Sequence, residues 1–459
     1  MRRVKEVIYE KRFLLDRNKI KIVLALAIPA MIENVLQVFI GVVDTYFVSK
    51  IGTEAIAGVG ITNLIMNVYI AFFIAIGVGT TAIVARSIGT GDTSSANNSV
   101  KQSMIIASII GLISGVVNLI FSKRLFLLLK AEQNIIQYAL PYFLIVAVPS
   151  VFLSVMMVLS SSLRGGGDTK TPMKVGLIAN IINAVLDYVL IFGILGFSGL
   201  GIVGAALATT VSRIVGVIIL LVKLNNKRTK LTVKIFSKWK IDLKAMKYII
   251  RIGLPAGIEK LIMRFGQLVY SGMIIKIGTS AYAAHNIAGT IESFSYLPGF
   301  GFAIAASTLV GQNLGAKKPK DAQEYGLISN VLSTVFMIAV GVIFYVFAPF
   351  LAGIFTKDEE VLILVVRVLR IIALLQPFLS ITFVITSALQ GAGDTKFPMY
   401  STLIGIWGVR VIGVYLLGIV LEMGLIGVWI AYGFDIFIRG IILMSRFLNG
   451  KWKEIRIET

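Results

Sequence analysis

The sequence predicts an all-α polytopic membrane protein, with twelve transmembrane helices in two six-helix bundles related by a parallel pseudo-twofold repeat. Three observations predict it. The 459 residues are 57% hydrophobic and 15% charged, with a mean hydropathy of +0.89, whereas soluble domains are roughly a quarter charged. Twelve apolar stretches lie between Ile22 and Leu448, each close to the roughly 20 residues that cross a hydrocarbon core about 30 Å thick. The chain also repeats itself at an offset of 226 residues. Long runs such as 105–121 do not alternate, which excludes a β-barrel, and little sequence remains for a soluble domain.

The first apolar segment runs from Ile22 to Val48. It is too long for a signal peptide and has no cleavage site, so it is expected to stay as helix one. Pro29 lies inside it, removing a backbone hydrogen bond and permitting a kink. Pro255 stands at the same place in the second repeat, so a plain packing kink and a functional hinge are both open. Glu33, Gln37 and Asp44 share one stripe of this helix by their spacing of four and seven.

Helix four ends at "LRGGGDTKTPM", residues 163–173, which recurs as "LQGAGDTKFPM" at 389–399, identical at eight of eleven positions. This is not a Walker A loop, because Thr169 rather than glycine precedes Lys170 and both flanks are apolar. Gly165 and Gly167 suit the end of a helix, Asp168 or Thr169 can cap the next, and Pro172 fits its first turn. Helix five then carries Asn183 and Asp187 one turn apart, and helix six carries Thr209 in "ALATT".

Residues 224–248 are expected to be a cytoplasmic linker between an N-terminal lobe, 1–223, and a C-terminal lobe, 249–459. Its "KIFSKWKIDLKAMK", with Phe236, Trp239 and Leu243 set among lysines, reads as an interfacial amphipathic helix. In helix seven "LPAGIE" repeats "IPAMIE" and "KIGT" returns unchanged, which makes Glu259 the twin of Glu33. His285 and Glu292 are seven residues apart on one face of helix eight. Asp435 and Arg439, spaced i, i+4 in helix twelve, predict an intramembrane salt bridge.

The net charge of +21 is concentrated: residues 1–21, 223–251 and 446–456 hold half of the 44 Lys and Arg. That bias marks the cytoplasmic side, places both termini there, and favours contact with anionic lipid rather than nucleic acid. With no cysteine and a single histidine, the chain lacks material for a disulfide, a thiolate site or a histidine metal cluster. An intramembrane enzyme is therefore disfavoured, and no cofactor or resident metal is expected. The protein is expected to be a monomer in the plasma membrane.

Charges without a counterpart in the other repeat are the better functional candidates. Asp44 maps onto Tyr270, Gln37 onto Met263, Asn183 onto Val409 and Asp187 onto Gly413. Asp44 lies six residues below Lys50 and Asp187 six below Gly193, so at 1.5 Å per residue both carboxyls sit roughly 9 Å beneath the outer boundary. Ionisable groups inside a membrane usually mark an ion or substrate path. Two acids sharing a low-dielectric layer disfavour being ionised together, so a proton can bind and leave there. Thr209 is a candidate neighbour.

These motifs, with "VDTYFVSKIG", "NAVLDYVLIFG" and "KIGTSAYAAHNI", resemble the multidrug and toxic compound extrusion transporters over essentially the whole chain, and most closely the branch of the DNA-damage-inducible and archaeal members. The resemblance implies an antiporter that exchanges external protons for cytosolic amphipathic, often cationic compounds. It carries a protonation site onto Gln37, Asp44, Asn183 and Asp187, and a bending role onto Pro29. Ser160 to Ser162 stand where many relatives have an Asn. Glu259 resembles an acid of sodium-linked branches, so sodium coupling stays open, with His285 and Glu292 as further second-lobe candidates. The drug cavity is expected to draw on Met66, Tyr69, Met156, Tyr188, Met263, Tyr270 and Tyr296, since thioethers adapt to varied shapes and aromatic faces attract organic cations. The same residues would also serve as ordinary packing. A lipid-linked oligosaccharide flippase of the same architecture would need a cationic cavity, and a passive channel would conduct without a gradient.

Overall fold

The computed structural model describes residues 16–193, 198–226, 231–234 and 239–455. Twelve helical segments follow the apolar stretches. They are α1 Arg17–Ser49, α2 Thr53–Thr90, α3 Thr93–Leu128, α4 in two pieces (Gln133–Ala147 and Ser150–Gly165), α5 Lys170–Phe192 and α6 Ile202–Asn225. The second repeat supplies α7 Leu243–Ile277, α8 Thr279–Gly315, α9 Pro319–Val346, α10 Glu359–Gly391, α11 Lys396–Val420 and α12 Gly424–Leu448. A short helix, Ala348–Phe355, follows α9.

Among the described residues ten helices are long and apolar enough to cross a bilayer singly, and α4, bent by 47° at its break, makes an eleventh span. The twelfth, α7, is 35 residues long but carries seven charged side chains. The repeat is imperfect in winding too. Its α11 begins as an α-helix and continues as π-helix over Ile404–Val411 and Val414–Val420, a form that is rare and clusters at functional sites.

Two compact units result, and each draws on both repeats. One comprises the described residues up to Met31 together with those from Ile258 to Ile455; the other runs from Ile32 to Gly257. The borders therefore fall inside α1 and α7, two residues beyond Pro29 and Pro255, and not at the expected limits of 223 and 249. The first half of each leading helix packs in the unit built mainly from the opposite repeat. Small residues make this possible, as they do where membrane helices approach closely. A Cβ on Gly253 of α7 would stand 2.1 Å from the Ala75 carbonyl oxygen of α2. In the other unit a Cβ on Gly301 of α8 would lie 2.8 Å from the Ala27 carbonyl oxygen of α1, and Val23 and Ala27 join the α8 core of Phe302, Ala305 and Ala306.

The paired joints keep the predicted geometry with a change of detail. Gly167 and Gly393 take the left-handed turn, at φ 88° and 91°, and Asp168 N–H donates back to the Leu163 carbonyl as Asp394 N–H does to Leu389. Gly165 serves close approach instead, since a Cβ there would lie 2.9 Å from the Thr81 carbonyl oxygen. Asp168, rather than Thr169, caps α5 by accepting from the Thr171 N–H at 2.9 Å.

Among the described residues the amphipathic linker segment is helical only from Leu243, where α7 begins. Residues 239–242 are non-helical and 235–238, with Phe236, lie outside the described residues. Side chains of α3 hold residues 239–242: Asn98 donates to the Asp242 carboxylate at 2.8 Å, Gln102 donates to the Lys240 carbonyl, and Lys101 lies over the Trp239 ring. Asp242 then starts α7 as its cap, and the Ala245 N–H, with the Asn98 amide, holds its carboxyl below the usual carboxylate range.

Candidate functional site

The carboxyls of α1 and α5 meet. Asp187 is 1% exposed and Asn183 beside it is buried; Asp44 reaches them from α1, within hydrogen-bonding reach of Asp187. One oxygen of each acid, Asp44 Oδ1 and Asp187 Oδ2, is shielded from solvent without a hydrogen-bond donor, and the Asn183 amide nitrogen is also unpartnered. Two acceptors facing each other repel unless a proton or another cation lies between them. Thr209 of α6 completes the group through the Tyr142 hydroxyl, which is in its hydrogen-bonding reach, and the Arg213 guanidinium acts on Asp44 and Tyr142 electrostatically. Around them Val48, Tyr142, Val146, Ile191 and Ala205 form an apolar shell.

Sequence reasoning finds Asp44, Asn183, Asp187 and Thr209 but misses Tyr142 and Arg213. The same asymmetry could have found Tyr142, for its twin is Val368. Arg213 is hidden by symmetry with Arg439: Asp435 pairs with Arg439 at 3.1 Å, whereas its twin Thr209 leaves Arg213 turned to Asp44. Gln37 lies exposed on α1, two turns from Asp44, and is not brought into the group.

The expected cavity residues scatter. Met66 and Tyr69 belong to an apolar cluster with Phe126, Ile136 and Phe143; Tyr270 is core in the other unit, with Ile274 and Trp429. Tyr296 packs on Phe300 and Phe383, Met156 lies against Gly216, and Met263 is half-buried. Tyr188 is 55% exposed and tilts against Phe47 and Phe192. None of them lines the open cavity of about 420 Å³ beside Val38, Gly41, Val42, Thr45, Tyr46 and Ser49, on a different stripe of α1 from Asp44.

The helix-one and helix-seven acids are held apart from these groups. Glu33 is paired with Arg164 at the end of α4, and Glu259 accepts from the Gln390 amide at 3.0 Å at the end of α10. His285 lies between Tyr270 and Trp429 with its Nδ1 buried and unpartnered. Glu292 accepts from the Tyr432 hydroxyl at 2.7 Å. Pro29 lies within α1, two residues before the border between units.

A duplicated bundle of membrane-spanning helices with a buried, unmatched acid pair has the build of a transport protein. The chain belongs to the MatE family, whose model matches residues 29–189 and again 255–416, the same 226-residue displacement. It is 34% identical over 444 residues to the "Probable multidrug resistance protein NorM" of Thermotoga maritima, covering 96% of this chain and 94% of that one. A protein of Shewanella oneidensis named "FAD transporter" is 28% identical over 346 residues, covering 74% of this chain and 75% of the relative. Among solved structures, one described as the outward-facing conformation of a multidrug resistance MATE family transporter of the MOP superfamily is 25% identical and superposes with a TM-score of 0.88, over 94% of this chain and 97% of that one.

Proposed function

We propose that this transporter is a proton-coupled exporter of amphipathic, often cationic organic compounds, working by alternating access from the plasma membrane with both termini cytoplasmic. The observation that carries the coupling is the Asp44 and Asp187 pair, each with a shielded oxygen lacking a donor. A single proton between the two carboxyls supplies the missing bond, and its release leaves two like charges in an apolar shell, a state that favours rearrangement. The multidrug name of the Thermotoga relative supports the substrate class. Pro29 and Pro255, lacking an amide hydrogen, are the places where the leading helices can bend.

Sodium is the second reading, favoured by the oxygen-rich set of Asp44, Asp187, Asn183 and Thr209; the Arg213 guanidinium near Asp44 counts against a metal cation there. The experiment is ethidium efflux from proteoliposomes holding purified protein, with either a pH or a sodium gradient imposed. A pH gradient is expected to drive efflux in the wild type, and Asp187→Asn is expected to lower that rate at least tenfold. Efflux driven by sodium alone, or an Asp187→Asn variant as active as the wild type, overturns the proton assignment.

A further inference from the structure

The second repeat has a polar cluster of its own, with no counterpart in the first. Glu292, Tyr296, Arg410, Tyr432 and Asp435 occupy the places of Met66, Ile70, Ala184, Ala206 and Thr209, so the cluster is not part of the duplicated scaffold. At its base Arg410 bonds Asp435 through Nε at 2.9 Å and Nη2 at 2.5 Å, and Arg439 joins at 3.1 Å. The Arg410 guanidinium also lies 4.2 Å above the Tyr432 ring, and the Tyr432 hydroxyl is 2.7 Å from Glu292 and 3.4 Å from the Tyr296 hydroxyl. Arg410 sits in the π-wound part of α11.

We propose that Glu292 is a second proton-binding carboxyl, in a different unit from the Asp44 and Asp187 pair, which takes up and releases its proton through the phenols of Tyr296 and Tyr432.

The partners decide it. Asp435 is held by guanidiniums, which only donate; Glu292, 3% exposed, is held by phenols, which donate or accept. With Glu292 ionised, Tyr432 donates to it. With Glu292 protonated, the carboxyl donates to the Tyr432 oxygen and the phenol hydrogen turns toward Tyr296, with no heavy atom displaced. Both phenols are half-buried and lie within one hydrogen-bonded chain with the carboxyl.

Charge gives the exchange a consequence. Arg410 and Arg439 against Asp435 and an ionised Glu292 sum to neutral, and protonation of Glu292 leaves one positive charge in excess. Among the described residues the titratable and charged groups that act on Glu292 are Tyr296 on its own helix, Arg410 from α11 and Tyr432 from α12. Around the two tyrosines pack Met337 of α9, Phe378, Leu379 and Phe383 of α10 and Ile436 of α12, which do not titrate.

The test is an infrared pH titration of the purified full chain in nanodiscs, following the carbonyl band of protonated carboxyls. Against the 23 Asp and Glu of the chain, the difference between wild type and variant isolates two steps: Glu292→Gln is expected to lose one and Asp187→Asn the other, so the two sites stand or fall separately. Tyr432→Phe keeps the ring over Arg410 and removes only the hydroxyl, and it is expected to move the midpoint of the Glu292 step while leaving the other in place. A Glu292→Gln protein that keeps both steps overturns the proposal, as does a Tyr432→Phe protein with no displaced midpoint. Loss of the Glu292 step when the titration is repeated with sodium added overturns it too, because the carboxyl would then be a metal ligand.

Discussion

Glu33 and Glu259 stand at the same place in their repeats, yet their partners differ: the guanidinium of Arg164 for one, and for the other the Gln390 amide with the Lys260 ammonium 3.9 Å away. A buried carboxylate facing a cation is costly to strand, because removing one partner leaves an uncompensated charge. Arg164→Ala is therefore expected to destabilise the protein by about 3 kcal/mol, whereas Arg164→Gln keeps a hydrogen-bond donor toward Glu33, as Gln390 supplies one to Glu259, and is expected to cost less. Thermal unfolding in detergent distinguishes them, and equal losses from both variants sink the idea. The same reasoning by partner shows what the sequence could reveal of the site. Asp44, Asn183 and Asp187 stand out because their twins are apolar, and their depth follows from counting residues to the helix ends. Gln37 obeys the same rules and fails, since a stripe on a helix does not say how far round its neighbours reach. Glu292 and Arg410 pass the asymmetry test as well, but a network closed by two tyrosines from different helices is visible only once the helices are packed.

At the scale of the helix, hydrophobic length is enough to locate the spans, because a bilayer demands it. Winding and contact are harder to read. Nothing in "IGIWGVRV" separates α from π, and the linker's lysines and aromatics suggest an interfacial helix, whereas residues 239–242 are non-helical and tied to Asn98 and Gln102 of α3. Glycines show the difference between local preference and packing. At Gly41 in α1 an added methyl would have no atom within 4 Å, whereas at Gly253 in α7 it would meet the Ala75 backbone. Gly41→Ala is expected to be neutral or to stabilise by about 0.5 to 1 kcal/mol through helix propensity. Gly253→Ala is expected to cost about 1 to 3 kcal/mol through overpacking against a backbone that cannot yield. Melting temperatures of the two variants should therefore move in opposite directions from the wild type, or the first not at all. A Gly253→Ala protein as stable as the wild type would mean that α7 does not lie against α2.

For the whole molecule the exchange of leading half-helices matters more than the duplication. The repeat places a cut in the linker as the natural boundary, yet each compact unit takes a half-helix from the other repeat: residues up to Met31 belong with Ile258 onward, and residues up to Gly257 belong with Ile32 onward. An acid pair in one unit and the Glu292 cluster in the other are thus joined by two continuous helices, α1 and α7, each with a proline two residues before the crossing. A chain cut within 227–230 keeps both crossings, because α1 stays whole in the first fragment and α7 in the second. Residues 1–226 and 231–459 expressed as separate chains are expected to co-purify through a tag on either one and to transport when reconstituted together. Deleting residues 1–31 from the first fragment removes Val23 and Ala27 from the α8 core and is expected to abolish that transport and lower recovery of the partner fragment. Full recovery and full transport without those residues would show that the exchanged half-helix contributes neither assembly nor coupling.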